Sequence, residues 1–187
     1  MIQAPVHLKD ANKLLTSNGF KTSDVWYHGT SSALLASIIK QGIKRSGDTA
    51  LNQAAKSTMA TIGNNYKESI EPVFLTQSKE LAYYWANQTV RNRSVRFDGE
   101  QKPVVLAVHL PEELQIRVKP DVGAASLLLM ETGEQFMAHL GAIYQHCGFA
   151  CPDIDLMKAD RTEFLSKLGM AYIAQDISAD CVKLIEA

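Results

Sequence analysis

His28 closes the short strand-like run Val25-Trp26-Tyr27 and opens the segment Gly29-Thr30-Ser31-Ser32. An imidazole can donate or accept a hydrogen bond near neutral pH, and a following glycine lets a ligand approach the backbone closely. Thr30 and Ser31 add hydroxyls, and a helix starting here would present unpaired amide hydrogens. A lone histidine at a strand end is more often structural, bonded to a nearby carbonyl. This setting instead describes a polar pocket suited to ribose hydroxyls and amide groups. A second cluster is aromatic. Phe74 lies in the strand-like run Val73-Phe74-Leu75-Thr76, shortly before Tyr83, Tyr84 and Trp85, in a chain that is only 7% aromatic. Packing in a core would explain the cluster, but successive helical residues point about 100° apart. The three rings therefore cannot share one core, and at least one faces a surface or pocket where a flat heteroaromatic ligand could stack.

Two further groups have weaker claims. Cys147 and Cys151 with His139 and His146 invite a zinc reading, but structural zinc sites use closer cysteine pairs and need a second pair. Arg91, Arg93 and Arg96 read as a solvated polar stretch that could also position a phosphate backbone, making nucleic acid a candidate partner. The sequence holds no serine-hydrolase elbow, no phosphate-binding P-loop and no HExxH signature.

The elements that must position these residues follow from patterning. The N-terminal segment reads as one amphipathic helix, an N-terminal helical extension over residues 1–24. Leu34, Leu35, Ile38 and Ile39 recur at helical spacing, with Ser31 or Ser32 as cap and Gly42 as stop. Residues 46–71 read as a loop with one short helix, and a loop that long is expected to have a job. Val73–Thr76 is a strand, and Ser78 caps a helix through Leu81, Ala82, Trp85 and Ala86. The arginine stretch closes at Pro103, Val104 to Leu110 reads as a central strand, and Pro111 stops it. Ala124 to about Gln145 is helix-compatible, interrupted by Gly133, and Tyr172–Ala174 and Val182–Ile185 are strands. At 187 residues and 46% hydrophobic content, one domain without internal repeats is expected. The formal net charge of -1 gives no global attraction to nucleic acid or membrane. Three cysteines form no disulfide framework, and neither a secretory apolar region nor a membrane span is visible. The resulting expectation is a cytoplasmic protein with no membrane partner, or one delivered into a host cell without a cleaved signal.

Several blocks carry a resemblance in their order. They are Tyr27-His28-Gly29-Thr30, the helix into Gly42-Ile43-Lys44, Val73-Phe74-Leu75-Thr76 with Ser78-Lys79 and Ala82-Tyr83-Tyr84, and Tyr172-Ile173-Ala174-Gln175-Asp176-Ile177. The series resembles the diphtheria-toxin-like branch of the ADP-ribosyltransferases, which includes the poly-ADP-ribose polymerases, from about residue 25 to the C-terminus. The resemblance implies an α+β fold with split mixed or antiparallel sheets around an NAD cleft and flanking helices. It implies NAD as the substrate cofactor, with no metal. His28 would bond ribose hydroxyls, Gly29 would hold the nicotinamide carboxamide through its backbone, and Thr30 would sit near the adenosine ribose. Phe74 stands where the family usually has a tyrosine under nicotinamide, Tyr84 matches an aromatic covering the other face, and Lys44 reaches toward the adenine end.

One position departs from the pattern. In the family a glutamate starts the strand that here reads Tyr172-Ile173-Ala174, and it stabilises the cation that forms as nicotinamide leaves. Here that catalytic position is Ala171, whose methyl group cannot do this. Three readings stand. The favoured one is a deliberate glutamate-to-alanine change that disables a toxic enzyme. The others are a natural inactive relative, or a carboxylate supplied by Asp176 or Glu163. The implied activity is mono-ADP-ribosylation of a protein or nucleic-acid acceptor, with Arg91, Arg93 and Arg96 as acceptor-binding candidates. Size and fold analogy suggest a toxin, an effector or a phage-conflict component, with an antitoxin or immunity partner to match. The rivals are a non-catalytic NAD or ADP-ribose sensor and an RNA 2'-phosphotransferase-like enzyme, for which Arg45 and the arginine cluster would grip phosphate.

Overall fold

The computed structural model of the chain describes residues 3–61, 63, 70–121, 131–155 and 157–186. Helices and antiparallel strands are mixed along the chain, in agreement with an α+β organisation. Strands β1 (Leu15–Thr16) and β2 (Gly19–Phe20) form a small hairpin. The main sheet has six strands: β3 (Val25–Ser31), β4 (Val73–Thr76), β5 (Pro103–His109), β6 (Lys119–Pro120), β7 (Met170–Ile173) and β8 (Val182–Leu184). Their spatial order is β6-β7-β4-β3-β5-β8.

Pairing across this sheet is uneven. Strand β3 runs beside β5 from Val25 opposite His109 to Ser31 opposite Pro103, and β4 pairs with β7 along its whole length. Between β3 and β4, however, the register is Tyr27 opposite Thr76 and nothing more among the described residues. The sheet is thus two three-stranded halves that part just beyond Tyr27, and His28 is the first residue on the lip of the split.

The α-helices among the described residues are α1 (Ser32–Gln41), α2 (Thr49–Thr61), α3 (Lys79–Ser94), α4 (Glu112–Gln115), α5 (Glu131–His146) and α6 (Arg161–Leu168). Helix α1 starts as expected, with the Ser31 hydroxyl accepting from the Ala33 amide, and it ends at Gly42, whose φ of 79° suits glycine. Ser78 caps α3 by accepting from the Leu81 amide. Trp26, Leu75, Leu106, Val108 and Ile173 bury one sheet face with Ile38 of α1 and Leu165 of α6. Leu81 and Tyr84 of α3 join Phe136, Leu140 and Ile143 of α5 in a second cluster. Each such side chain, fully buried, contributes roughly 1.5–3 kcal/mol of transfer free energy.

Four expectations need correction. The segment expected to form an N-terminal helix instead makes two short 3-10 turns, Val6–Leu8 and Ala11–Lys13, followed by the hairpin. The reversal at Gly19 needs a φ of 111°, and a side chain there would lie 2.3 Å from the Ser166 carbonyl oxygen. The polar stretch after residue 46 is mostly the helix α2, opened by Asp48, whose carboxylate accepts from the Leu51 amide. This helix buries none of its residues, so it has no apolar stripe to betray it in the sequence. The arginine stretch is not a loop at its start, because α3 continues through Arg91 and Arg93 to Ser94. The helix expected from Ala124 is described only from Glu131, and it runs through Gly133 without a break; the remainder lies outside the described residues.

Candidate functional site

The three faces of α3 explain how the split is lined. Ala82 and Ala86, one turn apart, lie against Gly29 so closely that a β-carbon there would be 1.8 Å from the Ala82 carbonyl oxygen and 2.7 Å from the Ala86 nitrogen. The missing side chain of Gly29 therefore admits a helix backbone, where the sequence suggested room for a ligand. Leu81 and Tyr84 turn toward α5. The remaining stripe, Trp85, Gln88, Thr89 and Asn92, follows helical i, i+3, i+4, i+7 spacing and faces a cavity of about 420 Å³. Phe74, Thr76, Met170, Ala171 and Asp121 form the opposite wall.

A second cavity, of about 270 Å³, shares His28, Gly29, Phe74, Thr89 and Asn92 with the first. Its other walls mix polar and apolar groups: Thr30, Ser37, Lys44, Ser46, Asp48, Asn52 and Glu71 contribute beside Leu34, Ile38, Ile43, Leu51 and Val73. An apolar, aromatic chamber and a mixed chamber carrying several hydroxyls thus meet at the split, and the first is of a size that suits small-molecule binding.

His28 holds the junction. Its Nδ1 lies 2.8 Å from the Phe74 carbonyl oxygen, tying the two half-sheets together where their backbones separate. A carbonyl only accepts, so Nδ1 carries the proton and donates, leaving Nε2 of the neutral ring as an acceptor. Burial pulls the His28 pKa below its ordinary value, against the opposing effect of the Phe74 bond. The ring is therefore neutral at pH 7, poised to accept from a hydroxyl. Phe74 itself is 44% exposed, a high value for a phenyl ring, so one of its faces is accessible for stacking.

The sequence candidates divide clearly. His28, Gly29, Thr30, Lys44 and Phe74 all line the joined cavities. Lys44 does so while paired with Asp176 at 3.2 Å. Tyr84 does not join them: it is buried, stacked on His139 with ring centroids 5.0 Å apart. Its neighbour Trp85 takes the cavity wall, stacked in turn on Phe136 at 5.9 Å. Ser31 is also turned away, fully buried and bonded to Gln101. The first amides of α1 are occupied by the Lys102 carbonyl and the Ser31 hydroxyl, so this helix start does not face the cleft as an anion site.

Arg93 is corrected most sharply. It is buried, ion-paired with Asp48, bonded to Gln101 at 2.9 Å and seated over the Phe97 ring. An arginine committed in this way grips no acceptor, which leaves Arg91 and Arg96 as the exposed pair. Arg45 directs its guanidinium to the Ile70 carbonyl. Among the described residues no group of three or more His, Cys, Asp or Glu side chains could hold a metal. Cys147 instead donates to Asn12.

Ala171 is 1% exposed and packs with Leu75, its cross-strand partner, at the floor of the aromatic chamber. Neither alternative carboxylate lines either chamber. Asp176 accepts from the Arg45 amide and pairs with Lys44, which hold its carboxyl below the usual range. Glu163 pairs with Lys167 on α6. Sequence reasoning missed Gln88, Thr89 and Asn92, although their spacing from Trp85 was readable, and it missed Asp121, which had no motif to mark it.

A larger, open groove of about 740 Å³ lies by Trp26, Gln115 and Arg161. Its polar groups bond one another: the Trp26 indole donates to Gln115, Gln115 to the Ser23 carbonyl, and Arg161 to the Val118 carbonyl. Those three groups are thereby engaged within the protein, while Thr22, Asp24 and Glu112 complete the groove's polar lining. Among the described residues, no helix is long and apolar enough to cross a membrane. No family model, curated protein or solved structure matches the chain.

Proposed function

We propose that the chain is an NAD-binding domain of the ADP-ribosyltransferase type, acting as a mono-ADP-ribosyltransferase on a protein or nucleic-acid acceptor. One observation carries this reading: a neutral His28, bridging the two halves of a split sheet, stands where an aromatic chamber meets a mixed one carrying several hydroxyls. NAD has that same division, a flat cationic ring at one end and riboses with phosphates at the other. Nicotinamide would stack between Phe74 and Trp85, ribose hydroxyls would donate to His28 Nε2, and Lys44 would face the distal phosphates or adenine. Geometry of this kind accelerates transfer by holding donor and acceptor in place.

Ala171 favours a second reading, a module that binds NAD or ADP-ribose without turning it over. Calorimetric titration of NAD tests the shared premise. One site is expected, weakened at least tenfold by His28→Ala, and the absence of binding to the unsubstituted chain would overturn both readings. Nicotinamide release by the chain and by Ala171→Glu then separates the transferase from the module.

A further inference from the structure

On α5, His139, Ala142, Ile143 and His146 follow i, i+3, i+4, i+7 spacing and form one stripe. With Glu80 in the first turn of α3, and Gln3, Ala4 and Lys9 near the N-terminus, this stripe lines a cavity of about 340 Å³. The size suits a small molecule, and the cavity shares no described lining residue with either chamber of the NAD cleft. Two polar side chains in its wall are buried, Glu80 at 8% and His139 at 7% exposure. Each has one atom without a hydrogen-bond partner, Glu80 Oε1 and His139 Nε2. Buried polar atoms are nearly always paired, so two unpaired ones in a single wall point to a missing partner.

The chemistry of that partner follows from the two atoms. His139 is fixed by stacking on Tyr84. Burial lowers its pKa, against the pull of the Glu80 backbone carbonyl that its ring faces. A carbonyl only accepts, and Nε2 is the unpaired nitrogen, so Nδ1 carries the proton and Nε2 of the neutral ring is an acceptor. Glu80 Oε1, when ionised, is an acceptor as well. A primary ammonium group, with three N–H bonds, supplies the donors that both lack. Lys9 and His146 line the same cavity, yet neither makes an ion pair with Glu80 among the described residues. They remain open to a carboxylate. A phosphate would meet Glu80 and a simple amine would meet Lys9, whereas a molecule carrying both charges meets neither conflict. Ala4, Ala142 and Ile143 add apolar surface. We propose that this cavity binds a free α-amino acid with a small aliphatic side chain, its ammonium held by Glu80 and His139 and its carboxylate by Lys9 and His146.

The test titrates L-alanine and L-valine into the ¹⁵N-labelled full chain, each beside the acid that lacks its amine and the amine that lacks its carboxylate. A saturable shift at the Ala142 and His146 amides is expected with at least one amino acid, and binding of its two analogues weaker by roughly tenfold or more, the loss of a hydrogen bond to a charged group. Glu80→Gln keeps the shape and removes the charge, and Lys9→Ala trims a half-buried side chain; each is expected to weaken binding by a similar factor, with folding checked by circular dichroism. No shift at millimolar amino acid would overturn the proposal and leave the two acceptors to water. Equal binding of the amine alone would overturn it too, as would undiminished affinity in Lys9→Ala, which holds even if Glu80→Gln does not fold. None of these outcomes bears on the NAD reading, whose site is separate.

Discussion

Replacing Gly29 with alanine inserts one methyl group at the tightest contact in the sheet. The new β-carbon would lie 1.8 Å from the Ala82 carbonyl oxygen and 2.7 Å from the Ala86 nitrogen, both backbone atoms of α3. No side-chain rotation relieves such a contact, so either α3 lifts from β3 or the strand bends. Overpacking a core typically costs about 1–3 kcal/mol, and a backbone-on-backbone clash belongs at or above the top of that range. For a chain of this size each kcal/mol lowers the melting temperature by roughly 2–4 °C, so a fall of about 6–12 °C is expected in a thermal melt followed by circular dichroism. Gly141→Ala in α5 is the matched control. Its β-carbon would meet only the Cys151 side chain, the sulfur at 3.1 Å and the β-carbon at 3.8 Å, and alanine gains about 1 kcal/mol of helix propensity over glycine. A Gly29→Ala protein melting within about 2 °C of the parent would refute the account of how α3 is seated, and with it the cavity geometry.

Other outcomes follow from the same contacts. Arg93→Ala leaves the Asp48 carboxylate, 17% exposed, without its cation and is expected to cost about 3 kcal/mol in urea unfolding, whereas Arg91→Ala and Arg96→Ala stay within about 0.5 kcal/mol. Burial lowers the folded-state pKa of both His28 and His139. The unfolded chain therefore takes up protons first as pH falls below about 6.5, and stability drops from there until the folded-state values are passed. Glu80, whose carboxyl burial raises, acts with the opposite sign, losing stability as pH rises above its ordinary value of 4.5. The urea midpoint should accordingly fall between pH 7.5 and 5.5, with a shallower slope in His28→Gln and in His139→Gln; identical slopes would contradict the assignment. Phe74→Ala, at an exposed ring, is expected to cost under about 1 kcal/mol of stability, yet to weaken NAD binding by roughly tenfold through lost stacking.

The strands and helices that frame the cleft were legible because each has a local signature. Ser31, Gly42 and Ser78 act where their types predict, and Val73–Thr76 and Val104 onward read as strands on hydrophobicity alone. His28, Gly29, Thr30 and Phe74 were legible from residue type and local setting, and Lys44 only through the family resemblance. What was hidden depends on tertiary placement. Nothing local distinguishes Tyr84 from Trp85; only the packing of α5 against Leu81 and Tyr84 decides which ring enters the cavity. Arg93 looks like its exposed neighbours until Asp48, 45 residues away in sequence, arrives to pair with it. Helix α2 lacks an amphipathic stripe because it buries nothing.

The central claim is that NAD occupies the split between β3 and β4, against Trp85. The chain has two tryptophans, and they report on different places: Trp85 lines the aromatic chamber, while the Trp26 indole is bonded to Gln115 at 2.9 Å in the separate groove. A titration of NAD into the ¹⁵N-labelled chain, followed at the two indole resonances, locates the ligand directly. The account predicts that the Trp85 signal shifts saturably, together with the Gly29 and Phe74 amides, while Trp26 stays in place. A shift confined to Trp26, or no shift at millimolar NAD, would contradict it.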